Sequence, residues 1–551
     1  MACVRGEEQL PQLDRTEASV NGKLVQSTSY LYDAKTGNLT QQVDYDVLTG
    51  VSQTTGYKSY DAYGNPLTVE TKSGKRTITH VMKYGSAGAW CASKPVSIMA
   101  THSYGSKSES HEARMTYDER GNLTSENKDG LMVTYKYDVF GNCTEKSAGD
   151  GTSMRTEKFE YDADGRHIIS KTNVLGENTT YKWRKNSGLL MSETDAYGRT
   201  TKYEYDSFDA LTSVQSQGGV RHTIERRWAD KGNPYNAAYI IDEFTAGSGA
   251  VSTLYTSDGR EVCRKQKSFG GKDVYVVQEY NKDGTLRRVS MPSHEPTPSE
   301  WAEQYGYDQY GRTIKVTRPD GEASISYSGL TTTMTSPDGT VAKTMTAEGW
   351  LESVITNGKA VDYTYYPSGL LQSATPEDGL PIKITYDMHG NRTSIKDADG
   401  GTENMKYNCF GEVTEKSRKA GRGSWITTTY TYSDRGLLQQ MNCGGDVTNY
   451  TYDSRNRLLQ KTTQGGVSQS YKYDNFDRIT SVTDVIGVKR FERSTEYDEY
   501  GRAIRETYPS GYYIENVYDE NGFLTMVKDN NGGEIYKPLT SVATLPALQT
   551  V

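Results

Sequence analysis

Over residues 131–137 the chain reads Leu-Met-Val-Thr-Tyr-Lys-Tyr, with Val133, Tyr135 and Tyr137 on one parity and Thr134 and Lys136 on the other. A period of two puts the apolar and aromatic residues on one face of an extended strand and the polar ones on the opposite face. The spacing returns at Tyr203/Tyr205, Tyr363/Tyr365, Tyr430/Tyr432, Tyr450/Tyr452 and Tyr471/Tyr473. Turn signals bound these runs. Asp129-Gly130 separates Leu131–Tyr137 from the run before it, and a mirror-image hairpin turn needs the positive φ that glycine adopts without a Cβ clash. After Tyr137 comes a wider turn, in which the Asp138 carboxylate is placed to accept a backbone N–H about two residues on and Gly141 to take the left-handed position. The order strand, tight turn, strand, wider turn predicts antiparallel hairpins with hardly any helix.

The wider turn is the recurring unit. It appears as Tyr60-Asp61 with Gly64, Tyr117-Asp118 with Gly121, Tyr137-Asp138 with Gly141, and Tyr161-Asp162 with Gly165. It returns as Tyr307-Asp308 with Gly311, Tyr386-Asp387 with Gly390, and Tyr497-Asp498 with Gly501. Looser copies fill the gaps, as at Trp228–Gly232, Tyr255–Gly259, Tyr280–Gly284, Tyr407–Gly411 and Tyr432–Gly436. In two copies Asn456 and Asp477 stand where glycine is expected, and these residue types are the next most tolerant of left-handed backbone. Self-similarity with a unit of about 20 to 25 residues marks a repeat architecture in which each unit buries its apolar surface against its neighbours.

On these turns the chain resembles the RHS/YD-repeat proteins, which include bacterial Rhs polymorphic toxins, the B and C components of Tc toxins, wall-associated repeat proteins and teneurins. The resemblance runs over residues 29–528. It implies an all-β fold in which antiparallel hairpin repeats form a spiralling single-layer sheet that encloses a hollow shell or open tube. In the bacterial toxins of the family such a shell isolates an unfolded or inactive toxic segment. The Asp-Pro-x-Gly-Leu motif that ends the family's core is missing, and no recognisable toxin domain follows. Self-cleavage residues are therefore not transferred. The expected organisation is a non-repeat lead or edge strand at 1–28, the repeat shell at 29–534, and a tail at 535–551 that acts as a plug or leads to a passenger.

Composition suits a thin wall. Only 34% of the residues are hydrophobic even with tyrosine counted, and tyrosine supplies 43 of them against 9 phenylalanines. Tyrosine brings a packing ring and a hydroxyl that can stay wet, so stability is expected from many small cross-strand terms of about 0.2–1 kcal/mol each. If about 22 units supply two strands each at ~4.8 Å per strand, the ribbon is ~200 Å long. A loop around a lumen of ~35 Å takes ~110 Å, so the chain makes roughly two turns. Met291–Ser299 holds three prolines, which would break a central strand and reads as an exposed loop.

The remaining chemistry is sparse. The net charge of −8 is spread over 71 acidic and 63 basic residues, with no basic stripe of the kind that binds nucleic acid. No run nears the roughly 18 apolar residues of a membrane helix, and the start has no apolar signal region. Cys3, Cys91, Cys143, Cys263, Cys409 and Cys443 lack C-x-x-C spacing, so neither a disulfide framework nor a zinc site is expected. His111-Glu112 does not continue as a zinc-protease motif, and no nucleophile elbow, phosphate loop or dinucleotide fingerprint is present. The Asp162 and Asp397 stretches read as plain turns because neither continues with calcium-loop spacing.

The expectation is a non-catalytic module without metal or cofactor, secreted or at the surface of a bacterial cell. Its favoured partner is an enclosed polypeptide, in cis or in trans, or a second shell component. The competing expectation is an adhesion module whose exposed tyrosines meet a glycan or protein receptor.

Overall fold

The computed structural model describes residues 12–85, 92–419 and 423–537. They form 46 strands, from β1 (Arg15–Val20) to β46 (Glu534–Tyr536), and no helix among the described residues. Each strand pairs antiparallel with its successor in one unbroken ladder. In β10 (Leu131–Tyr137), Val133 opposes Glu126 of β9 (Leu123–Lys128) on one side and Ala148 of β11 (Cys143–Gly149) on the other. The N-terminal lead supplies β1 and the start of β2 (Lys23–Tyr32), with β1 as the edge strand. Beyond Lys537 the tail lies outside the described residues, as do Cys3 and Cys91.

A meander alternates its turns between two edges of the ribbon. The wide Tyr-Asp turns occupy one edge and the short hairpin turns the other. Register slips by one residue before the tyrosine of most wide turns, as between Lys136 and Tyr137 or Glu496 and Tyr497. This recurrent bulge bends the strand where it enters the turn.

The sheet is a single layer. Its accessible surface is 33705 Å², against ~20,000 Å² for a compact monomer of this mass. Only eleven hydrophobic side chains and Pro367 are buried among the described residues. One local core departs from this thinness: Ile240, Leu254, Val262, Cys263 and Val277 cluster with Ala237 beneath Tyr235 and Tyr275. The proline-rich segment is a mostly exposed loop, as expected, and lies back over this region. Ser293 bridges Tyr275, and the Tyr235 hydroxyl donates to the Pro296 carbonyl at 2.6 Å.

The ribbon then returns on itself. The β1/β2 turn meets the turn between β24 (Trp301–Tyr307) and β25 (Thr313–Arg318) through Asn21 Nδ2 and the Gln309 carbonyl, 3.1 Å apart. The turn between β5 (Pro66–Ser73) and β6 (Arg76–Tyr84) meets that between β28 (Gly339–Met345) and β29 (Leu351–Thr356), where Ser73 Oγ donates to the Ala347 carbonyl at 3.0 Å. The turn between β19 (Tyr239–Thr245) and β20 (Gly249–Tyr255) meets that between β42 (Lys489–Tyr497) and β43 (Ala503–Thr507), where Arg502 Nη1 donates to the Gly247 carbonyl at 3.1 Å. The displacement is constant at 23 strands: 24 against 1, 28 against 5, 42 against 19. At ~4.8 Å per strand one coil measures ~110 Å around, or ~35 Å across the sheet. The odd displacement is required, because it brings the short-turn edge of the first coil onto the wide-turn edge of the second.

Candidate functional site

Each Tyr-Asp turn is locked by its aspartate. Asp118 Oδ1 accepts the N–H groups of Arg120 at 2.9 Å and Asn122 at 2.8 Å, while Oδ2 accepts the Asn122 amide at 2.9 Å. Asp61 and Asp138 are held in the same way by Asn65 and Asn142, and Asp387 by Asn391. Arginine replaces asparagine in the other three, and Arg312 and Arg502 bind Asp308 and Asp498 through Nε at 2.8 and 2.7 Å. Asp162 accepts the Arg166 N–H at 2.8 Å. The Asn122 side chain, then its N–H, holds the Asp118 carboxyl below the usual carboxylate range. Gly141 closes its turn at φ 87°, and Asn456 and Asp477 take the same position at 57° and 65°.

The tyrosines do more than pack. Tyr137 donates its hydroxyl to the Leu123 carbonyl at 2.8 Å, Tyr117 to Pro95 at 2.9 Å, Tyr307 to Leu286 at 2.7 Å and Tyr497 to Ile479 at 2.9 Å. Tyr60 bonds the Leu39 carbonyl. In each case the acceptor opens the preceding strand, so the tyrosine ties its own turn to the wide turn before it. The expectation of wet hydroxyls is corrected here: strand starts present carbonyls that the ladder leaves free, and the phenol reaches them. Tyr386 instead stacks edge-on against Tyr366 at 5.9 Å.

Along the seam, glycines of short turns receive aromatic side chains of wide turns. A Cβ on Gly218 (φ +69°) would lie 2.0 Å from the Phe476 ring, and one on Gly247 would lie 2.5 Å from Tyr500. Between these contacts run ion pairs. Arg155 grips Glu412 with both nitrogens at 2.8 and 2.9 Å and stands 3.7 Å from the Phe410 ring centroid. Arg199 joins Asp195 and Asp477, each at 2.6 Å. Tyr197 donates to Glu177 at 2.7 Å, and burial followed by that carboxylate pushes its phenol up to about 12.

Clefts open across the seam among the described residues. One of about 800 Å³ is lined by His102, Glu109, His111, Asp129 and His389, with His111 Nδ1 2.7 Å from Asp129. Burial, then Arg76, lowers the His102 imidazole below its ordinary value. No group of His, Cys, Asp and Glu suited to a metal occurs among the described residues. The arrangement holds turns together and, among the described residues, leaves two rims open: the wide-turn edge of the first coil and the short-turn edge of the second.

These features define a repeat protein whose one sheet winds into a shell. A family model for the teneurin YD-shell matches residues 345–491 and 391–536, and one for the RHS repeat matches 117–153 and 186–221. Over these segments the chain is similar to the RHS-repeat and teneurin YD-shell families. Teneurin-1 of Gallus gallus is 32% identical over 116 residues, 20% of this chain and 4% of its own length. The double-stranded DNA deaminase toxin A of Burkholderia cenocepacia is 25% identical over 159 residues, 27% of this chain and 10% of its own. The crystal structure of TcdB2-TccC3 shares the fold with a TM-score of 0.58 at 11% identity, over 95% of this chain and 41% of that one. The chain thus spans a tenth or less of these curated relatives, and less than half of that solved chain.

Proposed function

We propose that this chain is a non-catalytic wall segment that encloses a polypeptide and keeps it from folding or meeting its surroundings. The observation that carries the reading is the seam. A ribbon with almost no core is held as a two-coil tube by turn-to-turn hydrogen bonds spaced 255 to 292 residues apart, and such a structure uses its sequence to enclose space. The Tyr-Asp-Gly turns act structurally, with carboxylates satisfied inside their own turns. The chain works outside the cytoplasm, with its cargo supplied in cis or by a separate chain. The match to a deaminase toxin and the shared fold with TcdB2-TccC3 support a toxic cargo.

Protection measures this directly. An unstructured reporter fused after Lys537 should resist a protease that digests the free reporter, and should become sensitive once the seam is opened by Arg155→Ala with Phe476→Ala. Equal digestion of fused and free reporter would remove enclosure and favour the receptor-binding reading.

A further inference from the structure

We propose that Arg76 and His102 form an acid-sensitive latch between the coils, in which protonation of His102 releases Arg76 from the second coil and opens the seam at that point. Arg76 opens β6 and reaches across to the wide turn between β30 (Lys359–Tyr365) and β31 (Leu371–Pro376). Its Nε donates to the Pro367 carbonyl at 3.2 Å and its Nη2 to the Ser368 carbonyl at 3.5 Å, while the guanidinium stands 5.1 Å from the Trp350 ring centroid. On its other side Nη2 lies 3.1 Å from Nδ1 of His102, in β7 (Pro95–Tyr104). A guanidinium has five donors and no acceptor, so Nδ1 accepts and the ring proton sits on Nε2. The imidazole therefore aims the guanidinium only while it is neutral.

One proton added from solvent at Nδ1 sets donor against donor and cation against cation across the same 3.1 Å. The neighbouring groups do not offset this. His80 of β6 and His111 of β8 (Lys107–Tyr117) share the face of the sheet that carries His102, with the His111 ring 6.0 Å away, and both can add only positive charge. The carboxylates are engaged: Glu109 of β8 accepts the Ser368 N–H at 3.2 Å, Asp129 lies 2.7 Å from His111 Nδ1, and Glu348 accepts the Lys75 and Arg76 N–H groups at 2.6 and 3.1 Å. Asp387 is held inside its own turn, and Glu126, Lys128 and His389 complete the charged lining of the cleft. Burial, then Arg76, His111 and His80, hold the His102 imidazole below its ordinary value against the pull of Glu109. An opened seam frees the ring from Arg76, so the open state takes up the proton more readily than the closed one. Closure is thus fully supported above the range in which histidine titrates and is lost as pH falls through it. The cleft of about 800 Å³ beside the latch admits solvent. The latch concerns the seam alone and stands whether or not the tube holds a cargo.

Hydrogen exchange of the whole chain, followed as protection factors from about pH 7 to about pH 5, tests this. Protection of the turns at 104–107 and 365–370 should fall by on the order of tenfold, while the turns at 150–153 and 433–436, joined through Arg155 without a histidine, keep theirs. His102→Asn retains a side-chain oxygen as acceptor and cannot take up the proton, so its protection should stay flat on acidification. His389→Gln, in the same cleft, should keep the wild-type fall. A wild type whose protection is unchanged, or falls equally at both seam contacts, would overturn the proposal. So would a His102→Asn chain that loses protection as the wild type does, or a His389→Gln chain that no longer does. If His102→Asn is already open at about pH 7, the two seam contacts of the wild type decide the matter without it.

Discussion

At the residue scale the wide turn satisfies its own polar groups. An Asp carboxylate accepts two N–H groups and a side chain within five residues, and the tyrosine hydroxyl satisfies a carbonyl that opens the strand before. The second bond is the one that carries information from turn to turn. Removing it by Tyr137→Phe should lower stability by about 0.5–1.5 kcal/mol, the net worth of a hydrogen bond. Tyr135, whose ring lies 6.4 Å from that of Tyr137, caps no strand start, so Tyr135→Phe should cost much less. Urea unfolding of the pair checks this, and equal losses would deny the cap. The tyrosine-aspartate letters were legible in the sequence. The cap was not, because a phenol's partner 14 residues away depends on the bulge that aims the ring.

At the element scale the question is what holds one coil on the other. The contacts are few in kind: aromatic rings on glycines, guanidinium groups on carboxylates, and side chains on free turn carbonyls. Gly218 and Gly105 sit in short turns of the first coil at φ +69° and +59°, and a Cβ at Gly105 meets nothing within 4 Å. Alanine at Gly105 should therefore cost only the left-handed backbone strain, about 1–2 kcal/mol. Alanine at Gly218 carries that strain and also displaces Phe476, so the seam there should open. Hydrogen exchange should rise across the turns at 216–219 and 474–478 in the second variant alone. Equal exchange in both would mean that the ring contact does not hold the coils.

At the scale of the whole molecule, surface decides behaviour. The native chain exposes 33705 Å², well above the ~20,000 Å² of a compact monomer, so unfolding exposes less new surface than usual. Its heat capacity of unfolding should fall below the ~12–15 cal/mol/K per residue typical of globular proteins. Calorimetry returning a value in or above that range would contradict a thin wall. The same thinness makes stability a sum of neighbour terms.

Strands, hairpins, left-handed turn positions and the scarcity of core were determined by the sequence, because each depends on residues within one repeat. Alternation sets the faces, glycine or its substitutes set the turns, and Asn456 and Asp477 take left-handed backbone at sites read from the letters alone. The 23-strand period was decided only by the tertiary structure. Curvature accumulates from small twists over a whole coil, so no single repeat contains it. Phe208 and Phe476 stand in turns of the same pattern, yet one ring is free and the other seated. What separates them is the coil each belongs to, a property of position along the spiral.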